Sequence, residues 1–293
     1  MGKVKYGFAN TQLLRWELVE LHIAVFLFGF AGLFGKMISL PAMLIVLGRV
    51  LFASVFLLLL LLYRGESLRI EGDAKIFLPV LGILLALHWS AFFYSIQIST
   101  VAIGLLTYST FPIFTAIIEP MVFRERIRAE KVILSFIAFS GVALIIPSFN
   151  LSNQYTQGAL WGLLSGFAFS LLTTVNRKYV KEHSSLKLAF YQDSFASIFL
   201  LPFIFISPFK LSTLDFLYLA VLGVIFTGLA HTLFIHSLGA VRANTASIIA
   251  TLESLYGIIL AFIVLGEVPT ARTIFGGAII LGVCLYVSRF GKI

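Results

Sequence analysis

The sequence predicts an all-α integral membrane protein: ten transmembrane helices arranged as two inverted five-helix repeats. Three observations predict it: apolar stretches of spanning length from end to end, basic residues gathered on one side, and a likeness between the two halves. Only 12% of the 293 residues are charged and 60% are hydrophobic, against roughly 25% charged in a soluble domain. Mean hydropathy is +1.03. The alternating short strands of an outer-membrane barrel are absent from the pattern, which excludes that class. The single Cys284 excludes a disulfide within the chain and a cysteine metal cluster.

A helix needs ~20 apolar residues to cross a ~30 Å hydrocarbon core. Such stretches fall at 18–37, 42–63, 76–97, 101–123 and 132–149, and again at 157–176, 188–208, 215–236, 243–265 and 273–290. The first follows Arg15-Trp16 at full spanning length, which reads as a span and not a cleavable leader. Short connections such as "ISTVA" force helical hairpins and leave no room for an extramembrane domain.

The net charge of +8 would suit a nucleic-acid binder if it formed one patch. Sorted by loop, with the N-terminus in the cytoplasm, it does something else. Of the 21 Lys and Arg, 17 fall inside, only Lys36, Lys210 and Arg272 fall outside, and Arg49 lies within a span. That split follows the positive-inside rule. It predicts a multi-pass protein of the cytoplasmic (inner) membrane with both termini cytoplasmic, and no nucleic-acid partner.

Four matches in the same order relate residues 1–150 to residues 151–293. "GFAGLFG" pairs with "SGFAFSL", "RVLFASVFLLLLL" with "QDSFASIFLLPFI", and "LPVLGILLALHW" with "LAVLGVIFTGLA". "STFPIFTAIIEPMVFRE" pairs with "TLESLYGIILAFIVLGE", so that Glu125 meets Glu267. Five spans per half is an odd number, so the second half enters the membrane from the opposite side. Inverted repeats are common in secondary transporters, whose sites lie near the midplane between the repeats.

The two helices that end in Glu, together with "LGRVLFAS" and "FFYSIQISTVAIGLL", resemble the EamA-like ten-span exporters of the drug/metabolite transporter superfamily over nearly the whole chain. The resemblance implies export of amino acids, other metabolites or cationic drugs by alternating access, with the fifth and tenth spans as peripheral supports. One departure stands in the ninth span, where Leu252-Glu253-Ser254 replaces the family's usual Leu-Glu-Pro, while Pro112 holds the matching place in the fourth. A kink from the missing backbone donor is therefore expected in the fourth span rather than the ninth. Glu17 and Glu20 lie at the edge of the first span and do not match the deep Glu of the small four-span multidrug relatives.

Glu253 comes halfway through its span, where a charge costs ~2.5–3.5 kcal/mol on insertion scales. It reads either as a protonatable group or counter-charge for a substrate cation, or as a structural carboxylate bonded to a neighbouring helix. His88, followed by Trp89 in the third span, suits proton coupling or a neutral hydrogen bond between helices. Thr227 and His231 stand one turn apart and share a stripe, while His236 is interfacial and solvated. Arg49 and Asp193 fall at opposite depths of their inverted spans. They read as gating groups, or as a snorkelling Arg and an Asp paired with a cytoplasmic Lys. Glu119 reads as a structural ion pair with Arg124 or Arg126.

Tyr94, Tyr108, Trp161, Tyr191 and Tyr256 offer flat surfaces for an apolar or cationic group. Together with His88, Trp89, Pro112, Thr227, His231 and Glu253 they make the candidate cavity. Gly158, Gly162 and Gly166, with Gly29, Gly32 and Gly35, form faces for close helix packing. No HExxH, GxSxG or GxxxxGK[ST] motif occurs, which leaves no catalytic residues, no resident metal or cofactor, and no ATP drive. The functional expectation is a secondary exporter of neutral and aromatic amino acids, with organic cations as the alternative and an intramembrane enzyme or scaffold ranked below both. Its partners are then a small-molecule substrate, the lipid bilayer and a coupled proton. A monomer is compatible with all of this.

Overall fold

A computed structural model describes residues 5–126, 129–146 and 150–290. Of the basic residues used above, Lys3, Arg128 and Lys292 lie outside the described residues. Among those described, all regular structure is helical.

The first half of the chain builds α1 (Lys5–Met37), α2 (Ala42–Tyr63), α3 (Ala74–Ile98), α4 (Val101–Tyr108), α5 (Phe111–Val122) and α6 (Ala129–Ile145). The second half builds α7 (Gln154–Tyr179), α8 (Ser185–Leu200), the single turn α9 (Phe203–Ile206) and α10 (Thr213–Gly223). A π-helical turn, Val224–Leu229, joins α10 to α11 (Ala230–Ser237). α12 (Ala243–Ala250), α13 (Leu252–Leu265) and α14 (Ala271–Phe290) complete the chain. Local chemistry sets several starts: the Thr100, Asn153 and Ser184 side chains accept N–H groups at the first turns of α4, α7 and α8. Ser212 and Asp215 close a capping box on α10.

Eight helical stretches among the described residues are long and apolar enough to cross a membrane. Taken together, α4 and α5 make one of these, as do α8 and α9, α10 and α11, and α12 and α13. The fifth and tenth expected spans are helices too, but their apolar stretches are shorter, Phe136–Ile145 and Ala271–Val283. The chain is thus a multi-pass all-helical membrane protein. Large apolar side chains such as Leu59, Leu62, Phe205 and Ile263 are well exposed on its outside, as a lipid-facing surface requires.

The interior forms where α3 packs on α7 and α8, α2 on α8, and α1 on α11 and α13. α6 and α14 pack chiefly on one another, with Gly141 and Gly276 back to back. The glycine face of α7 lets it cross the junction of α4 and α5. Any methyl group on Gly166 would sit 2.7 Å from the Tyr108 carbonyl oxygen and 3.4 Å from the Phe111 nitrogen. Both neighbours are backbone and cannot yield. Gly166→Ala should therefore cost about 1–3 kcal/mol by overpacking, read as a lower unfolding temperature in detergent; an unchanged temperature would refute this close approach.

Candidate functional site

Two of the spanning stretches are interrupted inside the bundle. α4 gives way to α5 at Ser109-Thr110, and α12 to α13 at Thr251. Pro112 sits in the first turn of α5, where its missing N–H has no helical partner to lose. The expectation that only the fourth span would be bent needs correction, because the ninth breaks without a proline. There the Thr251 hydroxyl donates to the Ile248 carbonyl at 2.6 Å, as the Thr110 hydroxyl does to Thr107 at 2.8 Å. Such back-bonding competes with the helical ladder. The amide of Thr251 then reaches Ile248 at 3.1 Å, and that of Ser254 reaches Thr251 at 3.1 Å, two tight turns in succession. The two breaks also meet: the Ser109 and Ser254 hydroxyls hydrogen-bond each other, and Ser254 donates to the Leu105 carbonyl at 2.9 Å.

The break gives Glu253 its setting. It lies in the first turn of α13, at the positive end of the helix dipole, where a carboxylate is favoured. It lines a small cavity, about 20 Å³ in volume, bounded also by Phe28, Ala31, Arg49, Leu85, His88, Trp89, Phe92, Tyr108, Phe169 and His231. The Tyr108 side chain stands beside Glu253 on the same cavity wall. Every one of these residues is buried.

Arg49 is 1% exposed and held from three sides. Its Nε donates to Thr227 Oγ1 at 2.8 Å and one Nη to the Phe226 carbonyl at 3.3 Å. Its guanidinium carbon lies 3.9 Å from the centre of the Trp89 ring. Both polar partners belong to the π turn, whose wider winding lets the Thr227 hydroxyl donate five residues back to Leu222 at 2.7 Å while accepting from Arg49. π turns are frequent at functional sites. Arg49 stands within electrostatic reach of two carboxylates, Asp193 and Glu253. On the facing helix His88 Nδ1 lies 2.8 Å from the Ser165 hydroxyl.

Of the residues singled out in the sequence, Arg49, His88, Trp89, Tyr108, His231 and Glu253 converge on this cavity. Thr227 joins them through Arg49. Asp193 lies just outside, its Oδ1 3.8 Å from His231 Nδ1. Arg49 therefore does not snorkel, and among the described residues Asp193 has no lysine partner; α2 and α8 pack directly together, and the two groups stand within electrostatic reach of one another. Pro112 is buried in α5 away from the lining. Tyr94 and Trp161 meet edge to face at 5.4 Å on a separate apolar groove with Met43 and Phe203. Tyr191 donates to the Leu68 carbonyl at 2.6 Å, and Tyr256 packs on Phe26. Leu85 and Phe92 fall on the stripe of His88 and Trp89 at helical spacing, a signal that was available; Phe169 carries none.

Polar links tie both ends of the bundle. At one end Lys36 donates to the Ser99 carbonyl at 2.8 Å, and Asp215 accepts from the Ser39 amide at 3.0 Å. Glu267 accepts from the Val101 amide, the start of α4, at 2.9 Å. At the other end Glu119 accepts from the amides of Ala243 and Asn244, the start of α12, both at 3.1 Å. It also pairs with Arg177 at 2.6 Å, rather than with Arg124 or Arg126. His236 is not merely solvated: it meets Glu20 at 2.5 Å. The Lys178 ammonium, 2.9 Å from Asp73, holds that carboxyl below its usual range. Removing a partner from a buried pair costs about 3–5 kcal/mol, so Glu119→Ala should lower the unfolding temperature sharply; a melt matching the wild type would show that the link carries no weight.

Among the described residues no group of three or more His, Cys, Asp and Glu is placed to hold a metal ion. The EamA-like transporter family matches residues 16–146 and 156–289. An uncharacterised transporter of Bacillus subtilis is 28% identical over 284 residues, covering 94% of this chain and 91% of its own. A Rickettsia prowazekii protein named as an S-adenosylmethionine uptake transporter is 23% identical, over 82% of this chain and 80% of its own. The pseudopaline exporter of Pseudomonas aeruginosa is 26% identical over 87% and 88%. One crystal structure, at 14% identity, superposes with a TM-score of 0.70 over 94% of this chain and 98% of that one, a likeness of fold. The chain is thus a transporter and not an enzyme, a member of the EamA-like transporter family in the drug/metabolite transporter superfamily.

Proposed function

We propose that the chain moves neutral and aromatic amino acids across the cytoplasmic membrane by alternating access, with Arg49 and Glu253 as the two poles of the site. One observation carries this: a buried guanidinium and a buried carboxyl group line one aromatic-walled cavity, about 20 Å³ in volume, which must widen as the bundle opens to admit a solute. A neutral amino acid presents the matching charges, a carboxylate for Arg49 and an ammonium for Glu253, with Trp89, Phe92, Tyr108 and Phe169 to receive its side chain. An organic cation would use Glu253 alone and be repelled by Arg49. Burying two opposite charges without a ligand is costly, which is the reason to bind a zwitterion between them. All lining groups come from one chain, so a monomer suffices.

The architecture proposed with this function is two inverted five-helix repeats, residues 1–150 and 151–293, with both termini cytoplasmic. The two blocks of the family match, 16–146 and 156–289, and the interrupted helices in each half support that reading; the basic residues support the orientation. Export is the first direction to test, shared with the pseudopaline relative; uptake, named for the S-adenosylmethionine relatives, is the other arm. The test is solute counterflow into liposomes holding the purified protein, over a panel of amino acids, their deaminated and decarboxylated analogues, and organic cations. Saturable exchange of aromatic and neutral amino acids, lost for both analogue classes, is expected. Exchange of the cations alone would overturn the assignment.

A further inference from the structure

Beside the cavity lies a polar group that the substrate site does not use. Asp193 is 0% exposed, and neither of its carboxyl oxygens has a hydrogen-bond partner among the described residues. His231 Nδ1, 3.8 Å from Oδ1, has none either. The side-chain amides of Asn176 and Gln192 bond one another, at 2.6 and 3.2 Å, and neither bonds Asp193. Arg49 is the nearest permanent cation, and its Nε and one Nη are committed to Thr227 and Phe226. A bare carboxylate in such a place costs several kcal/mol. A histidine and an aspartate this close, both otherwise unpartnered, can remove that cost by taking up one proton between them.

We propose that Asp193 and His231 form a proton-binding site separate from the substrate's two poles, and that its occupancy is linked to that of the cavity through Arg49. The inference of linkage rests on the transport reading above; the proton site itself does not. The path is short: the His231 ring meets Trp89 edge-on at 5.5 Å, and Trp89 carries Arg49 on its face. The groups facing the pair from the packed helices are Arg49 on α2 and His88 on α3, with Glu253 of α13 beyond Arg49. A proton on the pair cancels the Asp193 charge that competes for the field of Arg49, so Arg49 holds a substrate carboxylate more tightly. By reciprocity, the bound carboxylate holds the proton more tightly by the same factor. The step makes one O–H or N–H bond within the pair, with the proton drawn from water on the side to which the site opens.

Two measurements test this. Infrared difference spectra between acid and alkaline pH, on the protein in liposomes without solute, should show a carboxyl or imidazole band that vanishes in both Asp193→Asn and His231→Gln and persists in Glu253→Gln. A spectrum unchanged by Asp193→Asn overturns the proton site. In the second, a one-unit pH gradient should drive the wild type toward accumulation of a counterflow amino acid, up to about tenfold for one proton per solute, while Asp193→Asn exchanges the solute without responding to the gradient. Wild-type exchange indifferent to the gradient overturns the linkage and leaves the transport reading standing. If no solute exchanges at all, the transport reading falls and the linkage with it, and the infrared result still decides the proton site.

Discussion

Arg49→Lys should lower transport at sub-saturating amino acid by about tenfold to a hundredfold, although it keeps a positive charge at the same place. The guanidinium is positioned by a fork and a face together: 2.8 Å to Thr227, 3.3 Å to the Phe226 carbonyl, and 3.9 Å to the Trp89 ring. A lysine ammonium is a compact, strongly hydrated point charge that cannot bond the π turn and stack on the indole at once. Losing one charge-assisted bond at about 1.5–3 kcal/mol corresponds to that fall. Lysine is the informative change, because Arg49→Ala would strand Asp193 and Glu253 and cost fold stability as well. Initial rates against solute concentration decide it; an unchanged KM in the Lys variant would remove Arg49 from the site.

Glu253→Gln should separate solutes by whether they carry an ammonium group. The amide keeps the shape but loses the charge, so affinity for amino acids drops by about tenfold or more. The deaminated analogue, which is not itself exchanged and is measured as a competitor, gains nothing from a carboxylate and is indifferent to the change. Truncating one member of a buried charge pair typically costs 2–5 kcal/mol or more, which sets the scale. Run across a pH series, the same variant also tests the carboxylate as a titrating group. Normal transport of every solute at every pH would return Glu253 to the role of a structural helix-start residue.

The helices were legible because the bilayer imposes their length: 42–63 and 243–265 in the sequence become Ala42–Tyr63 and Ala243–Leu265 in the fold. Charged and aromatic residues inside spans pointed to much of the cavity for a related reason, since Arg49, His88 and Glu253 cannot face lipid. What stayed hidden depends on contacts between segments far apart in the chain. Nothing local distinguishes Tyr108, in the cavity wall, from Tyr94, out on an apolar groove. The break at Thr251 was missed because a hydroxyl bonding back to Ile248 leaves a fainter trace than a proline. Glu119 was expected beside nearby arginines, but its partners are Arg177 and the start of α12, set by how α5 and α12 cross.

That crossing has a mechanical consequence. The start of α12 is tied to Glu119 on α5, and the start of α4 is tied to Glu267 just past α13. Each interrupted rod is therefore pinned at its head by the tail of the other, and the two pins sit at opposite faces of the bundle. Rods pinned this way cannot spread at both faces without breaking both ties. Parting the rods at one face alone requires breaking only that face's tie and can leave the other in place.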